Sequence, residues 1–391
     1  MDHPHVSGVV CRMGETMNAK TTKKKIVVIA SYAPSLINFR FSLLLALQKQ
    51  GYDVHTIAPF DDRVAKTLAE KGIQHHGLFL SRQGLNIFGD VKYCWALRRM
   101  LKQLQPDQVL AYTAKPVVYG MIAAKMARVP KRFALITGLG SIFIGGGLKI
   151  TVLRRVLSWQ YKAALAFAHG VIFQNNDDQG YFVSKRLVAA KKTRVVNGSG
   201  VDMQHFAYEP CLPEKITFLM LARLIRDKGI YEYAAAVQQV KKHHPQVVFQ
   251  LAGELDHNPS ALTADDLAKL VKNSGIEYLG ALDDVLPALR DCSVYALPSY
   301  REGTPRSVLE AMSVGRPIIT TDVPGCRQTV QEGENGFLVP AQNSEQLAKK
   351  MQYFIEHPQA INQMGLASRH LVEQKYDVHL VNAAMLSAME S

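Results

Sequence analysis

The sequence predicts an α/β protein with two domains in tandem, each built on a doubly wound parallel sheet. Its 391 residues exceed what one typical core supports and agree with about two domains. Short apolar runs alternate with helical patterns along most of the chain, as βαβ units require. The alternation breaks once, at residues 199–213, and then resumes.

The first series of strands and helices occupies residues 25–198. It opens with the β-branched run K-I-V-V-I-A-S (25–31), which is typical of a parallel strand buried on both faces. An apolar helix is predicted from about Ile37 to Gln50, with Gly51 ending it. Further strands are predicted in segments 52–59, 75–80, 108–113, 132–137, 170–175 and 194–197.

The second series occupies residues 214–371, after a linker at 199–213. Residues 372–391 are expected to form a C-terminal helix that packs back towards the N-terminal domain. Ligands of such folds bind at the carboxyl ends of strands, so we expect a site in the cleft between the domains. The predicted strands of this series are 215–222, 246–253, 277–280, 292–298 and 317–322.

The chain ends and cysteines bound the class of protein. Residues 1–24 are expected to be a disordered extension without the layout of a signal peptide, and Met17 is an alternative start. The five cysteines are scattered, which indicates a reduced, cytoplasmic protein. No apolar run approaches the roughly 18 residues of a membrane span. The segment T-G-L-G-S-I-F (137–143) lacks the third glycine of a dinucleotide-binding loop, which disfavours an NAD enzyme.

The net charge of +13 is unevenly distributed. Residues 1–200 contain 29 Lys and Arg against 10 Asp and Glu, whereas residues 201–391 contain 17 against 23. The N-terminal half is therefore expected to meet an anionic partner, either nucleic acid or an anionic membrane surface.

Two carboxylates flank a predicted helix start in R-E-G-T-P-R-S-V-L-E-A (301–311). Glu302 and Glu310 are separated by roughly 12 Å if eight residues rise as in a helix. A glycosidase pair needs about 5 to 9.5 Å, so this spacing better suits hydroxyl groups at opposite ends of one extended ligand. The alternative is an acid favoured near a helix N-terminus and another on a solvated helix face.

The same segment predicts unpaired backbone donors. Pro305 suits the first turn of a helix, which leaves the amides of Gly303 and Thr304 available to an anion or hydroxyl. In L-A-R-L-I-R-D-K-G (221–229), Arg223 and Lys228 follow a strand and can converge on a diphosphate. The alternative is two solvated surface cations.

The combined pattern resembles the retaining glycosyltransferases of family four. It consists of R-x-x-x-x-K, E-x-x-x-x-x-x-x-E, N-G-S-G-V-D (197–202) and G-E-N-G-F-L-V (333–339), and the resemblance extends over about 25–390. It implies the GT-B fold, in which two Rossmann-like domains face each other across a cleft. It also implies a UDP-sugar donor, with Arg223 and Lys228 on its diphosphate.

The resemblance assigns the remaining donor contacts. Glu310 would bind the ribose hydroxyls and Glu302 the donor sugar, while Gly303 and Thr304 contribute backbone amides. The uracil would lie near Leu279. Retention implies that the leaving diphosphate assists the incoming hydroxyl, so no side-chain nucleophile is needed. No metal or other cofactor is expected, because Arg and Lys supply the positive charge.

Three N-terminal segments narrow the resemblance: S-L-I-N-F-R (35–40), A-K-P-V-V-Y-G (114–120) and I-T-G-L-G-S-I-F (136–143). They resemble the subgroup that adds N-acetylhexosamines, GalNAc or GlcNAc, to undecaprenyl-diphosphate sugars. The family often has a His near the donor sugar, where this chain has Lys115. That residue is a catalytic and acceptor-side candidate. Asn38 and Arg40 are acceptor-side candidates, with helix capping and surface charge as their alternative.

Two basic stretches could meet the membrane that carries such an acceptor. They are 93–104 and 148–167, the second with Trp159 and Tyr161, and G-G-G (145–147) precedes it as a rim loop. Basic helices with aromatic residues lie on anionic lipid, which implies a peripheral enzyme on the cytoplasmic face of the inner membrane. The alternative is that Trp159 and Trp95 belong to the core.

Two other functions remain open at this point. A UDP-sugar epimerase of the same fold would release epimerised sugar without a lipid acceptor. A nucleic-acid-binding module would also explain the positive charge, although no nucleic-acid-binding motif is found in the sequence.

Overall fold

The computed structural model describes residues 23–80, 87–140, 143, 147–211, 214–256 and 260–390. These residues form two α/β domains, each with one fully parallel sheet, and the prediction of two Rossmann-like domains is confirmed. Residues 1–22 of the extension predicted at 1–24 lie outside the described residues. Parts of the linker (212–213) and of the rim loop (145–146) also lie outside them.

The N-terminal sheet has the strand order β3-β2-β1-β4-β5-β6-β7 in the described part of the chain. Its strands are β1 (Lys25–Ile29), β2 (Asp53–Ala58), β3 (Gln74–Gly77), β4 (Gln108–Tyr112), β5 (Lys131–Ile136), β6 (Gly170–Phe173) and β7 (Thr193–Val195). Alternate residues of β1 enter opposite cores, with Ile26 and Val28 on one face and Val27 and Ile29 on the other. The continuous apolar run is thus explained by burial of both faces.

Helices cover both faces of this sheet. They are α1 (Pro34–Asn38), α2 (Phe41–Lys49), α3 (Asp62–Ala69), α4 (Ile87–Leu104), α5 (Ala114–Met126), α6 (Leu148–Leu165) and α7 (Asn176–Ser184). The single helix predicted from Ile37 to Gln50 is wrong, because the chain turns between α1 and α2. That turn places Arg40 in the interior, where its guanidinium lies 5.3 Å from the ring centre of Tyr112.

The C-terminal sheet has the order β10-β9-β8-β11-β12-β13 in the described part of the chain. Its strands are β8 (Thr217–Leu221), β9 (Val248–Ala252), β10 (Glu277–Tyr278), β11 (Val294–Leu297), β12 (Ile318–Thr321) and β13 (Gly336–Val339). The helices are α8 (Ile230–Lys241), α9 (Ala264–Ser274), α10 (Leu286–Asp291), α11 (Arg306–Ser313), α12 (Ser344–Glu356), α13 (Gln359–Lys375) and α14 (Val378–Glu390). The strand β13 was not predicted.

Residues 372–390 do not form one helix, since α13 ends at Lys375 and α14 begins at Val378. Helix α14 returns to the N-terminal domain and packs against α2 and β6. Its Met385 and Met389 belong to the apolar core that also contains residues of β1. The C-terminal end of the chain therefore contributes to the N-terminal core.

The four cysteines within the described ranges (Cys94, Cys211, Cys292 and Cys326) are buried free thiols. Across the same ranges, no helix combines the length and the apolar content that crossing a membrane requires.

Candidate functional site

A cavity of about 190 Å³ lies between the two domains, where the chain leaves β5, β8 and β11. We call it the interdomain cavity. It is lined by Thr137, Gly138, Gly140, Arg223, Ile225, Asp227, Lys228, Arg301, Glu302 and Gly303. Its position at the carboxyl ends of parallel strands agrees with the predicted location of the site.

The two predicted diphosphate cations both line this cavity. After β8 the chain forms a 3₁₀ turn at Arg226–Lys228 and then a left-handed residue, Gly229, with φ of 78°. A Cβ on Gly229 would lie 2.1 Å from the carbonyl oxygen of Pro298, so only glycine lets this turn pack against the end of β11. Arg223 and Lys228 are held on one side of the cavity as a result.

Each cation has an acidic partner. Arg223 Nη1 lies 2.7 Å from Asp256 Oδ2, and the Arg223 side chain is half exposed. Lys228 Nζ donates a hydrogen bond to Glu302 Oε1, with both side chains largely shielded from solvent. A bound anion would therefore compete with a carboxylate for each cation.

Glu302 lies in the loop between β11 and α11 and faces the cavity. Besides Lys228, its Oε1 accepts a hydrogen bond of 2.8 Å from the buried hydroxyl of Ser299. The carboxylate is thus fixed by two groups of its own domain. It can present its second oxygen to a hydroxyl group in the cavity.

Helix α11 begins at Arg306, with Pro305 as its N-cap residue. Within the described ranges, the amides of Gly303 and Thr304 have no hydrogen-bond acceptor, as the sequence predicted. Gly303 packs tightly against the other domain, since a Cβ there would lie 2.0 Å from the carbonyl oxygen of Thr137. Free amides at a helix start form a favourable environment for an oxyanion.

Glu310 lies in the second turn of α11 and does not line the interdomain cavity. Arg306 Nε donates a 2.8 Å hydrogen bond to its Oε1. Burial raises the pKa of Glu310 above its ordinary value, and the charge of Arg306 opposes that increase. Glu302 and Glu310 therefore have separate cationic partners and do not share one cavity.

Lys115 lies in the first turn of α5 and is directed towards α4. Its Nζ lies 2.8 Å from Asp90 Oδ1, while the hydroxyl of Tyr119 donates to Asp90 Oδ2 at 3.1 Å. Burial, together with Asp90, raises the pKa of Tyr119 to about 12. Lys115 is not among the residues lining the interdomain cavity.

The other acceptor-side candidates, Asn38 and Arg40, differ in exposure. Asn38 ends α1 and is exposed, whereas Arg40 is buried, so its interpretation as a surface charge is wrong. Burial, assisted by the nearby charge of Arg306 and opposed by Tyr112, lowers the pKa of Arg40 to about 10. Arg306 also lies 5.9 Å from the ring centre of Phe39, which joins α11 to the α1–α2 turn.

Leu279 follows the edge strand β10, and about a third of its side chain is exposed. Its amide donates to the carbonyl oxygen of Leu251 at 2.9 Å. It also is not among the residues lining the interdomain cavity.

Helices α4 and α6 carry exposed apolar side chains beside their basic residues. Trp95 and Trp159 are 56% and 70% exposed, so their assignment to the core is wrong, whereas Tyr161 is buried. A groove of about 570 Å³ along α4 is lined by Lys92, Trp95, Ala96, Arg98, Arg99, Lys102 and Gln103. The other exposed apolar residues are Phe88 and Val91 on α4, and Leu148, Val152 and Val156 on α6.

Sequence reasoning did not identify Asp178 or Asp227. The fully buried Asp178 of α7 pairs across the domain interface with Arg301. Asp227 lines the interdomain cavity, and its buried Oδ2 has no hydrogen-bond partner among the described residues. For Asp178, the available signal was the run Q-N-N-D-D (174–178), which follows a strand end as the other site segments do.

Two protein families match the chain, Glycosyl transferase 4-like over residues 26–175 and Glycosyl transferases group 1 over residues 215–357. The N,N'-diacetylbacillosaminyl-diphospho-undecaprenol alpha-1,3-N-acetylgalactosaminyltransferase of Campylobacter jejuni is 31% identical over 346 residues. The alignment covers 85% of this chain and 89% of that protein. This chain belongs to the group 1, family-four-like glycosyltransferases. The predicted family is confirmed.

Other relatives of this glycosyltransferase have related names. The UDP-Gal:alpha-D-GlcNAc-diphosphoundecaprenol alpha-1,3-galactosyltransferase of Escherichia coli is 26% identical, covering 66% of this chain and 68% of that protein. Among solved structures, HepE of Anabaena in complex with UDP has a TM-score of 0.74 at 19% identity, covering 94% of this chain and 99% of that one. Sucrose-phosphate synthase of Thermosynechococcus elongatus has a TM-score of 0.78 at 19% identity, covering 93% and 98%. The GT-B fold of this glycosyltransferase is confirmed.

Proposed function

We propose that this glycosyltransferase moves an α-linked N-acetylhexosamine, GalNAc or GlcNAc, from a UDP-sugar to a sugar on undecaprenyl diphosphate. The observation that carries the proposal is the interdomain cavity, where Arg223, Lys228 and Glu302 meet at strand ends. Two cations suit a diphosphate, and an adjacent carboxylate suits sugar hydroxyls. The names of the Campylobacter and Escherichia relatives support the choice of acceptor class.

The proposed reaction retains the anomeric configuration. The bond from the anomeric carbon to the UDP oxygen breaks, and the acceptor oxygen bonds to that carbon on the same face. The acceptor proton passes to the departing diphosphate, so the products are UDP and the lengthened lipid-linked glycan. Arg223 and Lys228 stabilise the negative charge that develops on the diphosphate. For this reason we propose that the enzyme works without a resident metal.

The remaining roles are proposed from the resemblance to the family. Glu302 binds the donor sugar while the amides of Gly303 and Thr304 receive an oxygen of the donor. Glu310 binds the ribose, and the uracil lies near Leu279.

The acceptor approaches from the N-terminal domain. Lys115, Asn38 and Arg40 are proposed to lie on that side, with Lys115 near the sugars once Asp90 releases it. The support for this proposal is that the three residues lie in the segments 35–40 and 114–120, which resemble the subgroup.

The test is a panel of UDP-sugars assayed against synthetic polyprenyl-diphosphate monosaccharides, with radiolabel measured in the lipid phase. We expect transfer from UDP-GalNAc or UDP-GlcNAc that persists in EDTA. Lys228→Ala should lower kcat by about 100-fold or more, as loss of an electrostatic stabiliser does. Glu310→Ala should weaken donor binding.

Lys349→Ala is the matched control, since this lysine pairs with Glu345 on an exposed helix face. Full activity of Lys228→Ala and Glu310→Ala would contradict the site assignment. Release of an epimerised sugar without any lipid acceptor would instead favour the epimerase.

We propose further that α4 and α6 rest on an anionic membrane at the cytoplasmic face of the inner membrane. Both helices pack against α5, so they belong to one layer of the N-terminal domain. The exposed apolar residues Leu148, Val152, Val156 and Trp159 recur every three or four positions and form one stripe along α6. An exposed apolar stripe beside Lys and Arg is typical of helices at a lipid surface.

Vesicle sedimentation tests this surface. Binding to vesicles with anionic lipid should exceed binding to neutral vesicles and weaken as salt increases. Trp95→Ser with Trp159→Ser should reduce binding, whereas Leu380→Ser on the exposed side of α14 should not. Salt-dependent binding to RNA without binding to vesicles would contradict the proposal. It would also be contradicted if the wild type formed a dimer and the tryptophan variant did not, because this surface would then be a contact between two copies of the chain.

A further inference from the structure

The segment Arg301–Thr304, which contains Glu302, is held by the opposite domain. We call it the 301–304 segment. It follows β11 of the C-terminal domain, yet three of its four residues contact the N-terminal domain at one corner, residues 174–178. This corner joins β6 to α7. Both domains therefore position a segment that lines the interdomain cavity.

Three polar contacts join the 301–304 segment to this corner. Arg301 Nη2 forms an ion pair with Asp178 Oδ1. The carbonyl oxygen of Gly303 accepts a 2.8 Å hydrogen bond from the side chain of Asn175. The hydroxyl of Thr304 donates to the carbonyl oxygen of Gln174 at 3.0 Å. Each contact spans more than 120 residues of sequence and exists only when the domains meet.

Hydrogen bonds within the corner hold Asn175 and Asp178 in place. Asn175 is the N-cap residue of α7, and its Oδ1 accepts from the amide of Asp178 at 2.8 Å. Its Nδ2 also donates to Asp178 Oδ2 at 3.2 Å. Asp178 is fully buried and Asn175 nearly so. The cap thus orients the carboxylate of Asp178, to which Arg301 binds.

The side chain of Glu302 is held by its own domain, and its two neighbours in sequence are held by the other domain. Lys228 and Ser299 of its own domain hold its carboxylate, while Arg301 and Gly303 on either side are held by the N-terminal domain. Arg301 also lines the interdomain cavity, where its buried Nε has no hydrogen-bond partner among the described residues. A shift of the corner would therefore move the backbone on both sides of Glu302.

We propose that Asp178 is a positioning residue, which reaches across the cleft, binds Arg301 and holds Glu302 and the free amides where the donor sugar is received. The inference rests on the proposed function for its consequence in catalysis. Small displacements of a catalytic group can lower a rate by about 100-fold. Asp178 does not line the cavity, so it acts through Arg301.

Asp177 provides a matched control. It is adjacent in sequence and also crosses the interface, but it binds Arg327 Nη1 at 2.9 Å and Gln328 Nε2 at 2.6 Å. Neither partner belongs to the 301–304 segment. Asp177→Asn and Asp178→Asn remove the same charge from the same helix turn of the same interface.

Kinetics test the consequence. Asp178→Asn should lower kcat by about 100-fold with a much smaller change in the KM of the donor, and Asp177→Asn should leave kcat close to that of the wild type. Because Asp178 acts through Arg301, the double variant Asp178→Asn, Arg301→Gln should be no slower than Arg301→Gln alone. Equal losses in the two aspartate variants, or additive losses in the double variant, would overturn the proposal.

Hydrogen exchange tests the positioning without any substrate. Amides in the peptide 299–306 should exchange faster in Asp178→Asn than in the wild type and in Asp177→Asn, at equal thermal stability. Unchanged exchange would overturn the inference whatever the activity. Failure of the wild type to transfer sugar, with the exchange difference intact, would count against the proposed function alone.

Discussion

At the scale of single residues, Arg306 opposes the effect of burial on the pKa of Glu310. Glu310 is buried, which raises its pKa, and the adjacent Arg306 lowers it again. Arg306→Gln should therefore raise the pKa of Glu310 further. In the proposed ribose-binding role, Glu310 accepts hydrogen bonds from hydroxyl groups best when it is ionised, so affinity for UDP should decline as pH falls, and the decline should begin at a higher pH in the variant.

Calorimetric titration with UDP between about pH 5 and pH 8 measures this shift, with a slope that approaches about tenfold in Kd per pH unit. Lys349→Gln, which removes an exposed pairing with Glu345, should reproduce the wild-type profile. A uniform loss of affinity at every pH would mean that Arg306 contacts the ligand and does not act through Glu310.

The sequence predicted the residues that follow strand ends better than it predicted their partners. Arg223, Lys228 and Glu302 line one cavity because parallel strands deliver them to the same edge. The pairing of Lys115 with Asp90 was not predictable, since α4 and α5 meet only in the folded domain. The same holds for Asp178, whose partner comes from the other domain.

At the scale of elements, the edge pair β2–β3 contains clustered histidines. His55 Nδ1 and His76 Nε2 are 3.0 Å apart with nearly parallel ring planes, and His75 Nδ1 lies 2.9 Å from the hydroxyl of Thr56. Burial lowers the pKa of His75 and of His76, and the neighbouring His55 and Lys25 lower that of His76 further. Folding therefore favours the neutral forms of His75 and His76.

Acid should destabilise this sheet edge. The unfolded chain protonates histidine near about pH 6.5, above the folded-state pKa values, so stability is fully present above that pH and declines below it. Each histidine lowers the free energy of unfolding by up to about 1.4 kcal/mol for each pH unit of this decline. His75→Gln with His76→Gln should make the decline shallower.

Urea unfolding at about pH 7.5 and pH 5.5 compares the two slopes. His243→Gln, at an exposed position, is the control and should retain the wild-type slope. An identical decline in the double variant and the wild type would assign the acid sensitivity to other groups.

Strands were easier to predict than helix boundaries. A parallel strand buried on both faces is a continuous apolar run, and β1, β4 and β8 follow that rule. The break between α1 and α2 brings the guanidinium of Arg40 to 5.3 Å from the ring centre of Tyr112, a contact that local periodicity does not encode. The strand β13 has only four residues and begins at a glycine, so its apolar run is too short to stand out in the sequence.

At the scale of the whole molecule, the two domains are not separable at the linker. Helix α14 follows the C-terminal domain in sequence, yet Met385, Ala388 and Met389 lie in the N-terminal core. The sequence predicted a C-terminal helix and its return towards the N-terminal domain. The depth of its insertion depends on the surface formed by α2 and β6, which is assembled only on folding.

Met385→Ala should therefore destabilise the N-terminal domain, although the residue lies near the opposite end of the chain. Met385 is almost fully buried, and removing such a side chain costs about 2–5 kcal/mol. The two tryptophans, Trp95 and Trp159, lie on α4 and α6, so their fluorescence reports unfolding of this domain. The urea concentration at the midpoint of this unfolding transition should fall in Met385→Ala, whereas Leu380→Ala on the exposed side of α14 should change it little. An unchanged tryptophan transition in Met385→Ala would mean that α14 is dispensable to the stability of the N-terminal core.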